Sequence, residues 1–176
     1  MADKEQLIIG ENFLHLEEYV RYKWGIEGLE LYRSKNRFLI KNILTEKYYL
    51  FSDYVESLRL IEDLFKDERA SFDIGWHRAK HLLLAKGSSA TGLEVITKVA
   101  SAWNKFNNFG TVFVKENDDG TASVFVRDYM SAPQYCERMR GFLTGLAGIE
   151  KTNQDKVKKV NCVCDGNDSC EFVIAI

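Results

Sequence analysis

The chain has 176 residues, of which 45% are hydrophobic, and its formal net charge is −2. This length is enough for one compact domain over residues 1–176 and short for two. The near-neutral charge gives no electrostatic reason to expect nucleic acid or an anionic membrane as a partner. The N-terminal sequence lacks the pattern of a secretory signal, and no apolar stretch reaches the length of a membrane span. We therefore expect a soluble cytoplasmic protein.

The first third of the chain is predicted to be mainly helical. Apolar residues recur through Gln6–Trp24 over a wider face than a helix needs to cover a small core, which predicts a homodimer contact here. Gly25 and Gly28 indicate a break, after which Glu27–Ser34 is predicted to form a short helix. The segment Arg37–Phe51 has features of both helix and strand, and its type stays open.

The middle of the chain is predicted to form three helices followed by a hairpin. The helices, which have apolar residues at intervals of three and four, are Tyr54–Phe65, Ser71–Lys86 and Thr91–Phe106. The spacing of apolar residues then changes to every second position in Gly110–Lys115 and Ser123–Tyr129. These two segments flank the turn sequence Asp118-Asp119-Gly120. An antiparallel pair of strands is expected at this point.

All four cysteines of the chain lie in its last 41 residues. Tyr135–Ile149 has helical spacing of apolar residues, so that Cys136 is expected in the first turn of a helix. Val157–Cys164 and Cys170–Ile176 are predicted strands on either side of a turn at residues 165–168. Helices and hairpins in this order predict an α+β fold, in which an antiparallel sheet packs against several helices.

The C-terminal residues resemble the 4-vinyl-reductase domain family. The resemblance lies in the helix residue Cys136, the motif Gly-Phe-Leu-x-Gly at 141–145, and the spacing Cys162-x3-Gly166-x3-Cys170 before an apolar strand. That family belongs to a superfamily with the heme nitric-oxide-binding domains, phenol-sensor domains and TRAPP vesicle-tethering subunits. The resemblance covers about a quarter of the chain and implies their fold, with a ligand pocket between helices and sheet.

The same resemblance implies a structural zinc site. In the phenol-sensing relatives, zinc is bound by a glutamate and by cysteines that correspond to Cys136, Cys162 and Cys170. The glutamate position falls on Lys159, whose ammonium group does not bind zinc, so Cys164 is the candidate replacement. Zinc held by Cys136, Cys162, Cys164 and Cys170 would cross-link short strands. The alternatives are that the cysteines are small buried residues or, third, that they form a disulfide.

Aromatic and histidine residues supply the other candidate sites. The aromatic residues expected to form pocket walls are Trp76, Trp103, Phe106, Phe125 and Tyr129. His77 and His81 are four residues apart and could bind one metal ion, but a polar helix face explains them more simply because no HExxH motif accompanies them. His15 is isolated in sequence. No heme motif surrounds any of the three histidines, so heme is not expected.

No catalytic set is recognisable in the sequence, and no flavin or nicotinamide site is visible to support reduction of a vinyl group. We therefore expect non-enzymatic binding or sensing of a small hydrophobic or aromatic ligand. The resemblance implies that a homodimeric domain does this and signals through a separate partner. One alternative is a protein-interaction adaptor resembling the TRAPP subunits. The other is an accessory protein of tetrapyrrole metabolism.

Overall fold

The computed structural model describes residues 5–37, 42–85, 92–130 and 132–175. The helices in these ranges are α1 (Glu11–Lys35), α2 (Phe51–Phe65), α3 (Ala70–Ala85), α4 (Leu93–Ser101) and α5 (Pro133–Leu146). The strands are β1 (Leu7–Ile9), β2 (Tyr48–Leu50), β3 (Thr111–Glu116), β4 (Thr121–Arg127), β5 (Val157–Asn161) and β6 (Ser169–Ala175). Short 3₁₀ helices cover Trp103–Lys105, Lys151–Lys156 and Val163–Asp165. The α+β prediction is confirmed.

The main sheet has four antiparallel strands in the order β3-β4-β6-β5. Residues alternate between its faces, so that Cys170, Phe172 and Ile174 of β6 are buried while their neighbours are more exposed. The buried face packs against α4 and α5. This arrangement confirms an antiparallel sheet against helices. A second, two-stranded sheet pairs Leu7 of β1 with Leu50 of β2.

Helix α1 has the break that the sequence predicted at Gly25, where the backbone is not helical. Gly25 has a φ of +73°, a left-handed conformation that favours glycine, and the chain continues as helix on both sides of it. The apolar residues ahead of the kink lie in the protein's own core: Phe13, Leu16, Tyr19 and Val20 are buried, and Trp24 stacks on Phe65 with ring centroids 4.0 Å apart. The wide apolar face therefore has an intramolecular explanation and gives no support to a second copy, so the homodimer stays a prediction.

Helices α3 and α5 cross at very short distance because glycines stand at the contact. A Cβ atom on Gly141 would overlap the carbonyl oxygen of Phe72, and one on Gly75 would overlap that of Arg138. A Cβ on Gly145 would lie 2.5 Å from the Cβ of Ala79. The Gly-Phe-Leu-x-Gly motif thus has a packing role: it lets two backbones touch.

Other boundaries also differ from the predictions. Tyr48–Leu50, in the segment left open, forms strand β2. The predicted helix Thr91–Phe106 ends as α-helix at Ser101; its first residue and Lys86, the predicted end of the preceding helix, lie outside the described residues. Strand β5 ends at Asn161 after an irregularity in its pairing, so the predicted strand Val157–Cys164 is too long. Among the described helices, none combines the length and the apolar character needed to cross a membrane.

Candidate functional site

A cavity of about 120 Å³ lies among α1, α3, α4 and α5. Its apolar wall is formed by Ile8, Leu82, Val99, Trp103, Phe106, Met139 and Phe142. Benzene occupies an engineered cavity of about 150 Å³, so this space suits a ligand of about one ring. The sequence placed a ligand space between the helices and the sheet. Two spaces lie there: one of about 20 Å³ beside Val112 and Val124, and one of about 180 Å³ between α4 and the sheet, lined by Ile96, Ala122 and Ile174.

The cavity wall also contains a buried cation, Arg138 of α5, which is 5% exposed. Its Nη2 donates a hydrogen bond to the side-chain oxygen of Asn12 at 2.8 Å. Its guanidinium carbon lies 5.3 Å from the ring centroid of Tyr54 and 5.6 Å from that of Tyr135, distances typical of cation–π contacts. No carboxylate of the described residues forms an ion pair with it. A buried charge without a counter-ion is costly, and a bound anion would compensate it.

Two more cations reach the same cavity from neighbouring helices. Arg78 of α3 is largely buried and pairs with Glu11, with Nη2 and Oε1 2.7 Å apart. Lys98 of α4 is exposed and pairs with Glu94 at 2.5 Å. Since both have carboxylate partners within the chain, Arg138 is the cation best placed to bind an anionic ligand group.

The five aromatic residues predicted for the pocket are dispersed. Trp103 and Phe106 line the cavity, and the indole Nε1 of Trp103 donates a 2.8 Å hydrogen bond to the carbonyl oxygen of Phe109. Trp76 lies elsewhere on α3 and donates to the carbonyl oxygen of Ile149. Phe125 stacks on Phe113 across the β3–β4 pair, and Tyr129 contacts the cysteines. A ligand-binding role for Trp76, Phe125 and Tyr129 would therefore need a place other than this cavity.

The cysteines do come together, as the sequence indicated. Sγ of Cys136 lies 3.4 Å from Sγ of Cys162 and 3.7 Å from Sγ of Cys170, and all three side chains are buried. Cys164 is exposed, although its sulfur lies within 4.8 Å of those of Cys136 and Cys162. In the predicted strand Val157–Cys164, alternation would place Cys162 and Cys164 on one face. That is wrong, because the chain leaves β5 before Cys162 and turns into a 3₁₀ helix.

Hydrogen bonds and charge distinguish the buried thiols. A hydrogen bond from Cys136 lowers the pKa of Cys170 to about 5 against the effect of burial, with further help from the Tyr129 hydroxyl, whose oxygen lies 3.0 Å from Sγ. Burial raises the pKa of the Cys162 thiol. Burial alone would lower the pKa of Lys159, but the neighbouring Cys162 and Cys136 raise it. Lys159 thus supplies positive charge beside the thiols.

The architecture is that of the H-NOX domains. An H-NOX protein from S. oneidensis in the Fe(II)NO ligation state has a TM-score of 0.69 at 12% identity, over 94% of this chain and 97% of that one. The Fe(II) unliganded H-NOX protein from K. algicida has a TM-score of 0.62 at 14% identity, over 96% of each chain. An H-NOX from Shewanella woodyi in the Fe(II)CO ligation state has a TM-score of 0.65 at 12% identity, over 94% of this chain and 93% of that one.

These structures belong to the superfamily that the sequence resemblance indicated. At such low identity the likeness establishes the fold. No family model matches the chain, so membership of the 4-vinyl-reductase family itself stays a prediction. No curated protein matches it either.

The cofactor prediction, a structural zinc ion and no heme, is wrong for this fold. The matched H-NOX structures are described in Fe(II) ligation states, and heme is the cofactor usual to the fold. Nothing in the comparisons supports zinc. The cysteine cluster therefore has to be explained without it.

Whether heme fits this chain depends on the cavity wall. Arg78, Lys98 and Arg138 could hold its carboxylates, and Tyr135 and Met139 carry atoms that can bind iron. None of the three histidines lies in the wall. Burial raises the pKa of Tyr135, which disfavours the phenolate form that would bind iron. With about 120 Å³ available, the cavity in this geometry is too small for the macrocycle, whose entry would require the helices to separate.

Sequence reasoning missed the polar residues of the cavity, above all Arg138. A signal was present. Arg138 follows Tyr135 by three residues and precedes Phe142 by four, so it lies on the apolar stripe of its own helix. An arginine in such a stripe is either paired inside the protein or available to a ligand.

Proposed function

We propose that this chain is a non-enzymatic sensory domain whose helical cavity binds a small apolar molecule carrying an anionic group. The apolar body would contact Trp103, Met139 and Phe142, and a carboxylate would pair with Arg138. The likeness to H-NOX domains supports the coarser part of this proposal, a small-ligand sensing domain.

The observation that carries the proposal is the environment of Arg138. The guanidinium is 5% exposed, borders an open volume, and has a neutral amide as its hydrogen-bond acceptor. Arginine presents several donors in one plane and can bind a carboxylate through two of them. Hydrogen bonds to charged groups contribute about 1.5–3 kcal/mol each, which corresponds to about 10- to 100-fold in affinity.

The proposal includes a homodimer that signals through a separate partner. Since Leu16 and Val20 are used in the core, a second copy would have to contact other residues of α1. Tyr22 and Ile26 stand on either side of the kink at Gly25 and are 75% and 56% exposed. Sedimentation velocity at micromolar concentration tests this part: a dimer that dissociates in an Ile26→Glu variant is expected, and a monomeric wild-type protein would contradict it.

Calorimetric titration with single-ring aromatic carboxylates tests the ligand class. The wild-type protein should bind a benzoate-type acid, and its neutral amide should bind about 10- to 100-fold more weakly. Arg138→Met should remove this preference while preserving the circular dichroism spectrum. The matched control is Arg59→Met on the exposed side of α2, where Arg59 pairs with Glu56. This variant should bind as the wild type does.

Three results would contradict parts of the proposal. Equal affinity for acid and amide would remove the role of Arg138. Absence of any bound organic molecule in native mass spectrometry, together with no binding in the titration, would favour a protein-interaction adaptor. A Soret band after titration with hemin would identify the tetrapyrrole as the ligand, and its persistence in Arg138→Met would show that the guanidinium is not needed to hold it.

A further inference from the structure

The three histidines of the chain meet between α1 and α3, and none of them lines the cavity. His15 of α1 is buried, and His77 and His81 lie one turn apart on α3. Each residue has a ring nitrogen in a group whose members all lie within 4.8 Å of one another. His15 and His77 are 62 positions apart in sequence, so the fold brings them together.

The spacing suits coordination of one ion. Imidazole nitrogens bind a transition metal at about 2.0–2.1 Å, which places two adjacent ligands about 2.8–3.0 Å apart in octahedral geometry and about 3.3–3.4 Å apart in tetrahedral geometry. Nε2 of His15 and Nδ1 of His77 are separated by 3.1 Å. The rings of His77 and His81 have centroids 4.1 Å apart, and a ring nitrogen of the more exposed His81 lies within 4.8 Å of the other two ligand atoms.

We propose that His15, His77 and His81 bind one late divalent transition-metal ion, of the class of cobalt, nickel or copper. Imidazole is a ligand of intermediate softness that suits these ions better than calcium or magnesium, which prefer oxygen. His81 is exposed, so the remaining coordination positions face solvent and water can fill them.

The electrostatic surroundings keep the ligands in the state that binds metal. Burial, followed by the charges of Arg78 and Arg138, lowers the pKa of His15 to about 2. Burial and then His81 lower the pKa of His77 to about 4. At neutral pH both imidazoles are uncharged, and each can bind an ion once its single proton lies on the ring nitrogen that faces away from the ion.

Nearby cations are largely compensated by carboxylates. Arg78 pairs with Glu11 at 2.7 Å. Lys151 pairs with Asp73 at 2.6 Å, and Lys23 is 3.3 Å from the same carboxylate. Arg138 is the exception among the cations around the cluster, since its acceptor is a neutral amide. Electrostatic repulsion of a bound ion therefore comes mainly from Arg138, whose guanidinium borders the ligand cavity.

Titration of the untagged protein with Co²⁺ at a pH of about 7.5 tests the site, because the ligands are neutral there and the visible d–d bands of the ion report ligand type and geometry. One equivalent should bind with nitrogen-type bands and without the ultraviolet charge-transfer band of a thiolate. His81→Gln should weaken binding at least tenfold, and since the side chain is exposed the variant should fold normally. Cys164→Ser is the matched control for metal capture by the exposed thiol, and its affinity should equal that of the wild type.

These measurements distinguish metal binding by the histidines from metal binding by the cysteines. Unchanged affinity in His81→Gln would overturn the proposal, and so would a thiolate charge-transfer band that accounts for the bound equivalent. Copper(II) electron paramagnetic resonance gives an independent readout. Hyperfine splitting from imidazole nitrogens is expected in the wild-type protein, and its loss in His77→Gln would support the site.

Discussion

The contact between α3 and α5 makes Gly141→Ala a stringent test of the packing. The added Cβ would overlap the carbonyl oxygen of Phe72 and lie 2.8 Å from its carbonyl carbon. Ordinary contact between nonbonded carbons is about 3.5–4.0 Å, so the helices would have to separate by about 1 Å. The obstacle is backbone on the α3 side, and no side chain can rotate to make room.

Two effects of opposite sign determine how much Gly141→Ala changes the free energy of unfolding. Replacing glycine by alanine inside a helix contributes about 1 kcal/mol of stability through backbone entropy. Overpacking costs about 1–3 kcal/mol, and the high end or beyond applies here because the obstacle is rigid. The overlaps that glycines also avoid at Gly75 and Gly145 show that the close approach extends beyond a single turn of each helix. We expect a net loss of about 2 kcal/mol.

Chemical and thermal denaturation followed by circular dichroism measure this loss. For a chain of this length, about 2 kcal/mol corresponds to a decrease in Tm of about 4–8 °C. Carboxylate binding should weaken as well, because Arg138 and Met139 move with α5. The control is Gly120→Ala in the β3–β4 turn, where φ is +78° and no atom lies near the new Cβ. It should cost about 1 kcal/mol and leave binding unchanged. Equal or greater stability of Gly141→Ala would refute the close contact.

Three further predictions follow from the cavity and its surroundings. Trp103→Phe removes the donor to the Phe109 carbonyl and should lower the free energy of unfolding by about 1–2 kcal/mol in urea; no loss would exclude this bond as a stabilising contact. Arg138→Met should unfold at similar or higher urea concentration than wild type in the absence of ligand, because a buried unpaired charge is removed; a loss above about 3 kcal/mol would contradict this. In metal-free protein, the pKa of His15 is about 2 when folded and about 6.5 when unfolded, so the unfolded state binds the extra proton. Stability should therefore fall as pH decreases below about 6.5, by up to about 1.4 kcal/mol per unit, and a flat urea midpoint between about pH 7 and pH 5, or an unchanged slope in His15→Gln, would disprove it.

Much of the fold could be predicted because its signals are local. The β3–β4 turn was recognisable from Asp118-Asp119-Gly120, and Pro133 begins α5 where a proline is tolerated. Strand β1 was missed and β2 was left open between helix and strand, because three residues are too few to show a period of two. Their pairing joins Leu7 to Leu50, far apart in sequence, and only the fold brings them together.

The candidate sites could be predicted from the sequence only where their residues lie close together in the sequence. The cysteines were found because they cluster in sequence, and the face shared by Cys162 and Cys164 was lost to a 3₁₀ turn that alternation does not reveal. His77 and His81 were noticed as a pair on one helix. His15 was dismissed as isolated, since the contact that gives it meaning joins two helices distant in sequence. Arg138 was missed because it is a charged residue within an otherwise apolar helical pattern, and only the apolar positions of that pattern were taken as candidate pocket residues.

The two proposed sites share their supporting helices, which gives a physical reason for them to affect each other. Asn12 of α1 holds Arg138 in the cavity wall and stands three residues before His15. Arg78 of α3 borders the cavity and follows His77 directly. An ion bound to the histidines would fix the distance between α1 and α3, and would add positive charge near the guanidinium of Arg138. A carboxylate ligand would then be attracted more strongly, and by thermodynamic reciprocity its binding would raise metal affinity by the same factor.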